Sequence, residues 1–177
     1  MSAITSTLSE DARKVAGDAL QNALVDLIDL ALLGKQAHWT VVGPNFRSLH
    51  LQLDEIVAQA RDFADLVAER AAAIGYPPDG SARVISEGSL LPQLPAGWQQ
   101  DKVVVEFFVG IYASLIEGMR ERIDITGQHD LVTQDLFLGM TAALEKQYWM
   151  LQAESLPKTA ETTGESPDRE TASPEIT

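Results

Sequence analysis

The chain has 177 residues, 45% of them hydrophobic, enough for one domain with a full core. With 13 Lys and Arg against 26 Asp and Glu, the net charge of −13 opposes direct contact with a phosphate backbone and suits a protein that gathers cations. The absence of cysteine excludes disulfides, thiolate zinc sites and iron–sulfur clusters, and no apolar run approaches the roughly 20 residues needed to span a bilayer.

Residues 1–8 read as a short N-terminal tail with neither the basic nor the apolar region of a secretory signal, so a cytoplasmic protein is expected. A bundle domain is expected over residues 9–156. Its first helix, about 9–38, has Ser9 as N-cap and carries Leu20, Leu24, Leu27, Ile28 and Ala31 on one stripe. Gly34 marks either a weak point or a close helix contact.

The second helix starts after Gly43-Pro44, with Asn45 as a plausible cap, and runs to Gly75, where Tyr76-Pro77-Pro78 stops it. Its apolar positions Leu49, Leu53, Ile56, Phe63, Leu66 and Ala73 cover more than one side, which predicts contacts beyond its own bundle. Residues 76–100 are rich in Gly and Pro and longer than an ordinary link between antiparallel helices. A crossover between two helices pointing the same way needs such length and can hold a short extra helix.

The third helix is read from Asp101 to about residue 126, before Gly127. The fourth covers about 131–155, opened by Asp130 or Thr133, with Leu136, Leu144, Tyr148 and Trp149 along it. From residue 157 the chain is polar and Pro-punctuated, with two basic and five acidic residues, and reads as a mobile acidic tail over 157–177. Two short links and one long one predict an all-α, ferritin-like four-helix bundle with a crossover between its second and third long helices.

The chemistry concentrates between residues 38 and 69. Two of the chain's three histidines fall there, in the frame His38, His50, Asp54, Asp65, Glu69, with Trp39 beside the first. At about 100° per residue, positions 50, 54, 65 and 69 share one narrow helix face. Yet Asp54 and Asp65 are separated by roughly 16 Å of helix axis, at about 1.5 Å per residue. One metal cannot use both ends. Either the ligands belong to two unrelated sites, or a second copy of the helix runs antiparallel across the first, making two equal sites about a twofold axis.

Blander readings stand beside this one. His50 and Asp54 are an i,i+4 pair that can be a simple surface contact, and Asp65 and Glu69 could pair with Arg61 or Arg70. His129 is expected to be a surface or hydrogen-bonding group. The ordinary di-iron bundle site needs Glu-x-x-His steps, but the residues three before His38, His50 and His129 are Lys35, Arg47 and Thr126. An intrachain di-iron centre is thereby excluded, which favours the geometry between subunits. Carboxylates with imidazoles suit Fe(II), Mn(II) or Zn(II).

The segment KQAHWTVVGPNFRSLHLQLDEIVAQARDFADLVAER resembles the signature of the Dps family, the miniferritins named as DNA-binding proteins from starved cells. The likeness lies in the AHW element, the GPNF turn, the LH-x-x-x-D step and the D-x-x-x-E step followed by Arg70. LVTQDLFLGMTAALEKQYWMLQAE is similar to the family's last long helix, and the resemblance covers about residues 15–155.

It implies a hollow dodecamer with a two-metal iron-oxidising centre at each dimer interface, to which His38, His50 and Asp54 come from one subunit and Asp65 and Glu69 from its twofold mate. It further implies oxidation of Fe(II), preferably by hydrogen peroxide, and storage of the ferric product as protection against oxidative damage. Glu69 would be the best candidate to bridge two irons. Asp54 could ligate directly, orient an imidazole or act through water. Zinc or another divalent ion can substitute at such ligands. The histidines must be neutral to bind, so activity is expected to weaken as pH falls through the imidazole range. Trp39 would pack at the interface or take up an oxidising equivalent.

The alternative is a nucleoid-associated protein that coats DNA with little oxidation chemistry. The segment before the bundle carries Arg13 and Lys14 against Glu10 and Asp11, and the C-terminal tail is acidic. Direct DNA binding is therefore expected to be weak or absent. Asp130 and Asp135 are candidates for lining an iron-entry pore, or simply helix-start charges.

Overall fold

The protein is described from a computed structural model covering residues 4–156. Ser9 caps the first helix as its position predicts, its hydroxyl accepting the Ala12 N–H at 3.2 Å. Helix α1 then spans Glu10–Thr40 and buries Leu20, Leu24, Leu27 and Ala31, with Ile28 packed at the edge of the core. Helix α2 spans Phe46–Ala73, and the two lie side by side. Gly34 proves to be a close contact: a Cβ built there would stand 2.8 Å from Val57 Cγ2.

Residue 45 does not cap with its side chain. Its backbone N–H instead donates to Asp101 Oδ2 at 2.7 Å, and the same carboxylate accepts the Lys102 N–H at 2.8 Å through Oδ1. Asp101 is buried, and Gly43, at φ +133°, leaves the room it occupies; a Cβ at Gly43 would meet the carboxylate at 2.7 Å. One side chain thus ties the turn after α1 to the start of a helix 56 residues later.

A second tie lies beside it. Val41–Val42 (β1) pairs in parallel with Gln99–Gln100 (β2), Val41 opposite Gln99 and Val42 opposite Gln100. Between the end of α2 and β2 the crossover runs the length of the bundle and contains a short helix, α3 (Ala82–Gly88). It is pinned midway, where buried Asp29 of α1 accepts the Ser89 hydroxyl at 2.5 Å and Gln93 Nε2 at 3.4 Å.

Helix α4 (Asp101–Gly127) and helix α5 (Leu131–Ser155) form the second antiparallel pair. Because β2 returns to the turn between α1 and α2, α4 starts at the same end as α2 and runs parallel to it. That is the ferritin-like connectivity. The helix-packed core holds Leu53, Ile56, Phe108, Ile111, Tyr112, Met119, Phe137 and Leu144. No helix of the described residues is long and apolar enough to cross a membrane. The expected 157–177 tail and residues 1–3 lie outside the described residues.

Asp101 should be visible in acid. The Asn45 N–H, donated to its carboxylate, holds the group below its ordinary value of 3.8, with the Lys102 N–H adding to that. A depressed folded pKa means stability that is full above the unfolded value and lost as pH falls through the folded one. Asp101→Asn should therefore lower stability by about 1.5–3 kcal/mol near neutrality, the range for hydrogen bonds to a charged acceptor. The deficit should shrink below pH about 4. Urea melts followed by circular dichroism at both pH values check this; a deficit independent of pH would contradict it.

Candidate metal centre

His38 sits in the last turn of α1, and His50 in the second turn of α2, so the turn stapled by Asp101 carries both. Each ring is held by the other residue's backbone. His38 Nδ1 lies 3.0 Å from the His50 carbonyl oxygen, and His50 Nδ1 lies 3.0 Å from that of His38. A carbonyl only accepts, so each Nδ1 carries a proton, and in the neutral ring that leaves the lone pair on Nε2. That is the form in which imidazole binds a metal ion. The rings stack with centroids 3.6 Å apart at 22°, and the Phe46 ring lies 5.0 Å from that of His50.

Asp54 follows His50 by one helical turn. Its Oδ1 lies 3.3 Å from His38 Nδ1 and accepts from the ammonium of Lys35. The Lys35 hydrogen bond is the main cause that holds the Asp54 carboxyl below the usual range. His38, His50 and Asp54 thus meet in one place. Asp65 and Glu69 do not join them; they are exposed further along α2. Among the described residues no three His, Asp or Glu side chains are placed to hold a metal within one chain.

The pairings that could have explained Asp65 and Glu69 away are absent. Arg70 turns instead to Asp130, with Nη2 to Oδ2 at 2.5 Å, and donates to the Thr133 hydroxyl through Nε at 3.0 Å. Neither Asp65 nor Glu69 has an ion-pair partner among the described residues.

Asp130 matches the helix-start alternative within this chain. It is buried, caps α5 through the Val132 N–H at 3.3 Å, and accepts the Thr133 hydroxyl at 2.5 Å. Burial pushes its carboxyl up, but the bonds from Thr133 and Arg70 outweigh this and leave it below the ordinary value. Asp135 and His129 are exposed. His129 takes no part in the cluster.

The face around the cluster is unusually apolar for a surface. Trp39 is 64% exposed and Leu51 50%, and Phe46 and Leu66 are exposed as well. At 100° per residue, Leu51, Ala58, Asp65 and Glu69 fall within about 40° of one another on α2. Two carboxylates without ion-pair partners thus share an open stripe with exposed apolar side chains. Two residues that shape the site escaped the sequence reading: Lys35, seen only as the wrong residue for a Glu-x-x-His step, and Asp101. Neither has a local signal, since both act on partners far along the chain.

The helix pairing and crossover define a ferritin-like protein, and the family model for the ferritin-like domain matches residues 17–156. The chain is 37% identical over 136 residues to the fine tangled pili major subunit of Haemophilus ducreyi, covering 77% of this chain and 72% of that one. It is 34% identical over 146 residues to the DNA protection during starvation protein of Mycolicibacterium smegmatis, covering 82% and 80%. The structure of Dps from Microbacterium arborescens in the high iron form superposes with a TM-score of 0.80 at 31% identity, over 86% of this chain and 98% of that one. The chain belongs to the Dps family of ferritin-like proteins.

Proposed function

We propose that this chain is an iron-oxidising and iron-storing miniferritin, with Fe(II) as substrate and a centre completed only between two copies. The observation that carries the reading is the division of the ligand set. His38, His50 and Asp54 meet at one end of the exposed face, and Asp65 and Glu69 stand unpaired on the same helix. A second copy laid antiparallel across this face brings His50 and Asp54 of one chain opposite Asp65 and Glu69 of the other, twice. The iron-loaded relative supports the choice of metal.

In such a centre the two imidazoles supply Nε2 lone pairs, already freed by the reciprocal backbone bonds. Asp65 and Glu69 would supply oxygen donors that neutralise the ion's charge. Two Fe(II) each give one electron to one hydrogen peroxide, which takes up two protons and leaves as two waters. Delivering both electrons to one oxidant limits release of hydroxyl radical. The ferric product is then held inside a closed shell of about twelve chains. Further exposed apolar side chains on the other helix pair, Ile125, Leu131 and Val132 at one end and Trp149 towards the other, support contacts beyond the twofold one.

The test loads the protein with Fe(II) without oxygen, adds hydrogen peroxide, and follows ferric absorbance together with sedimentation. A particle of about twelve chains that oxidises iron and sediments faster once loaded is expected; a monomer that leaves iron unoxidised overturns the reading. DNA binding is a separate expectation. The net charge of −13 is multiplied by assembly, so plasmid should run unretarded at low salt and neutral pH without divalent ions. Tight retention in that gel would show that the nucleoid-coating alternative holds.

A further inference from the structure

Gln52 and Glu154 set the register of α2 against α5. With its amide oriented as its neighbours require, Gln52 donates to both oxygens of the Glu154 carboxylate at 3.1 Å. At the far end the same seam is closed by Arg70, bonded to Asp130 and Thr133. The two helices are antiparallel. Seven residues on from Gln52 and seven back from Glu154, about two turns each, Gln59 of α2 therefore stands opposite Gln147 of α5. The seam around them is apolar, with Ile56, Leu144 and Leu151 all buried. Yet the Oε1 atoms of both glutamines are buried, and neither has a partner among the described residues. Gln147 as a whole is only 8% exposed.

A third orphan stands at a similar height. Tyr112 of α4 is fully buried, and its hydroxyl has no partner either. Helices α2 and α4 start at the same end; Gln59 lies 13 residues beyond the first residue of α2, and Tyr112 lies 11 beyond that of α4. Folded interiors leave few such atoms unpaired, because each costs the desolvation of its group.

We propose that Gln59, Tyr112 and Gln147 bind one internal water molecule at mid-height of the bundle, and that this water keys α2 to α5. The chemistry of the three groups selects the guest. Two amide oxygens only accept and a phenol donates, so the guest must donate twice and accept once. Water does both, and about three hydrogen bonds is the usual complement of a buried water. None of the three groups carries charge, so an ion there would be uncompensated, at far greater cost than a neutral guest. The interior of the bundle thus takes water and not Fe(II). A slip of α2 by one turn would draw Gln59 away from the other two and leave all three unpaired. The water so fixes the axial position of the helix that carries His50, Asp54, Asp65 and Glu69.

A high-resolution crystal structure of the full assembled protein tests the site directly. One peak of water density is expected within about 3.2 Å of Gln59 Oε1, Gln147 Oε1 and the Tyr112 hydroxyl. Hydrogen exchange of the amides flanking 59 and 147, read by mass spectrometry, tests the coupling. Gln59→Leu, Tyr112→Phe and Gln147→Leu, each leaving the other two groups short of a partner, should each speed exchange about tenfold. Gln59→Leu/Tyr112→Phe/Gln147→Leu removes all the polar ends together and should return to within about threefold of the wild type, since matched apolar replacement is nearly neutral. Either of two results overturns the proposal. One is a crystal with no water at that position, as when the two glutamines bond each other directly. The other is a triple variant whose exchange is faster by the product of the three single effects. The wild-type crystal decides the matter even where a variant fails to fold.

Discussion

Asp65→Ala/Glu69→Ala should leave a helical, assembled protein that oxidises Fe(II) on the order of 100-fold more slowly, or worse; loss of groups that merely support a metal's ligands already costs 10- to 100-fold. Both side chains are exposed and neither pairs with Arg61 or Arg70. The bundle therefore loses nothing when they are truncated, and exposed substitutions of this kind stay within about 0.5 kcal/mol. Removing two like charges from an apolar face should even favour assembly slightly. Stopped-flow ferric absorbance, with circular dichroism and sedimentation as controls, separates the outcomes. Oxidation at the wild-type rate would take these carboxylates out of the centre.

Ala58→Arg should abolish iron oxidation by a different route. If Asp54 faces Asp65 across a twofold axis, the antiparallel register puts position 58 opposite 61. Ala58 is small and exposed on the same stripe as Leu51 and Asp65. An arginine there would meet Arg61 of the mate, adding bulk and like charge twice at every interface, and such juxtapositions cost several kcal/mol. In the single chain the same substitution points to solvent and spoils nothing. Sedimentation should show smaller species, circular dichroism an intact bundle, and peroxide no ferric signal. Oxidation persisting in an isolated bundle would show that one chain suffices.

Most of the architecture was legible because it is written in local signals. Ser9, the Gly75-Tyr76-Pro77 stop and the Gly127–Asp130 break sit where capping and chain-reversal chemistry require, and the helices fall within about two residues of the expected bounds. The length and Gly/Pro content of residues 76–100 announced the crossover and its short helix. The parallel pairing of Val41–Val42 with Gln99–Gln100 left no trace, since two residues cannot show a period. Asn45 holds the expected N-cap position but makes no side-chain cap, for a related reason: the group that satisfies that turn, Asp101, comes from 56 residues away.

The site was legible as a frame and not as a set of contacts. Four residues on one face of α2, with His38 beside them and the excluded Glu-x-x-His step, are what point to sharing between copies. Nothing local said that each histidine would bond the other's carbonyl, since that depends on the angle at which α1 turns into α2. Asp130 shows which of its two readings local chemistry selects within the chain. An acidic residue at a helix start looks available for ions, yet here it is spent on Val132, Thr133 and Arg70.

The corner between α1 and α2 is braced twice, by Asp101 and by the two-residue parallel bridge. The brace fixes the histidine pair as part of folding, through contacts made wholly within one chain. Two molecules that meet therefore bring finished halves to the encounter and have no loop left to order. In the proposed assembly iron would then have no scaffolding task. A cage built from such halves should close as readily in a cell starved of the metal as in one flooded with it, and stand ready before the first ion arrives.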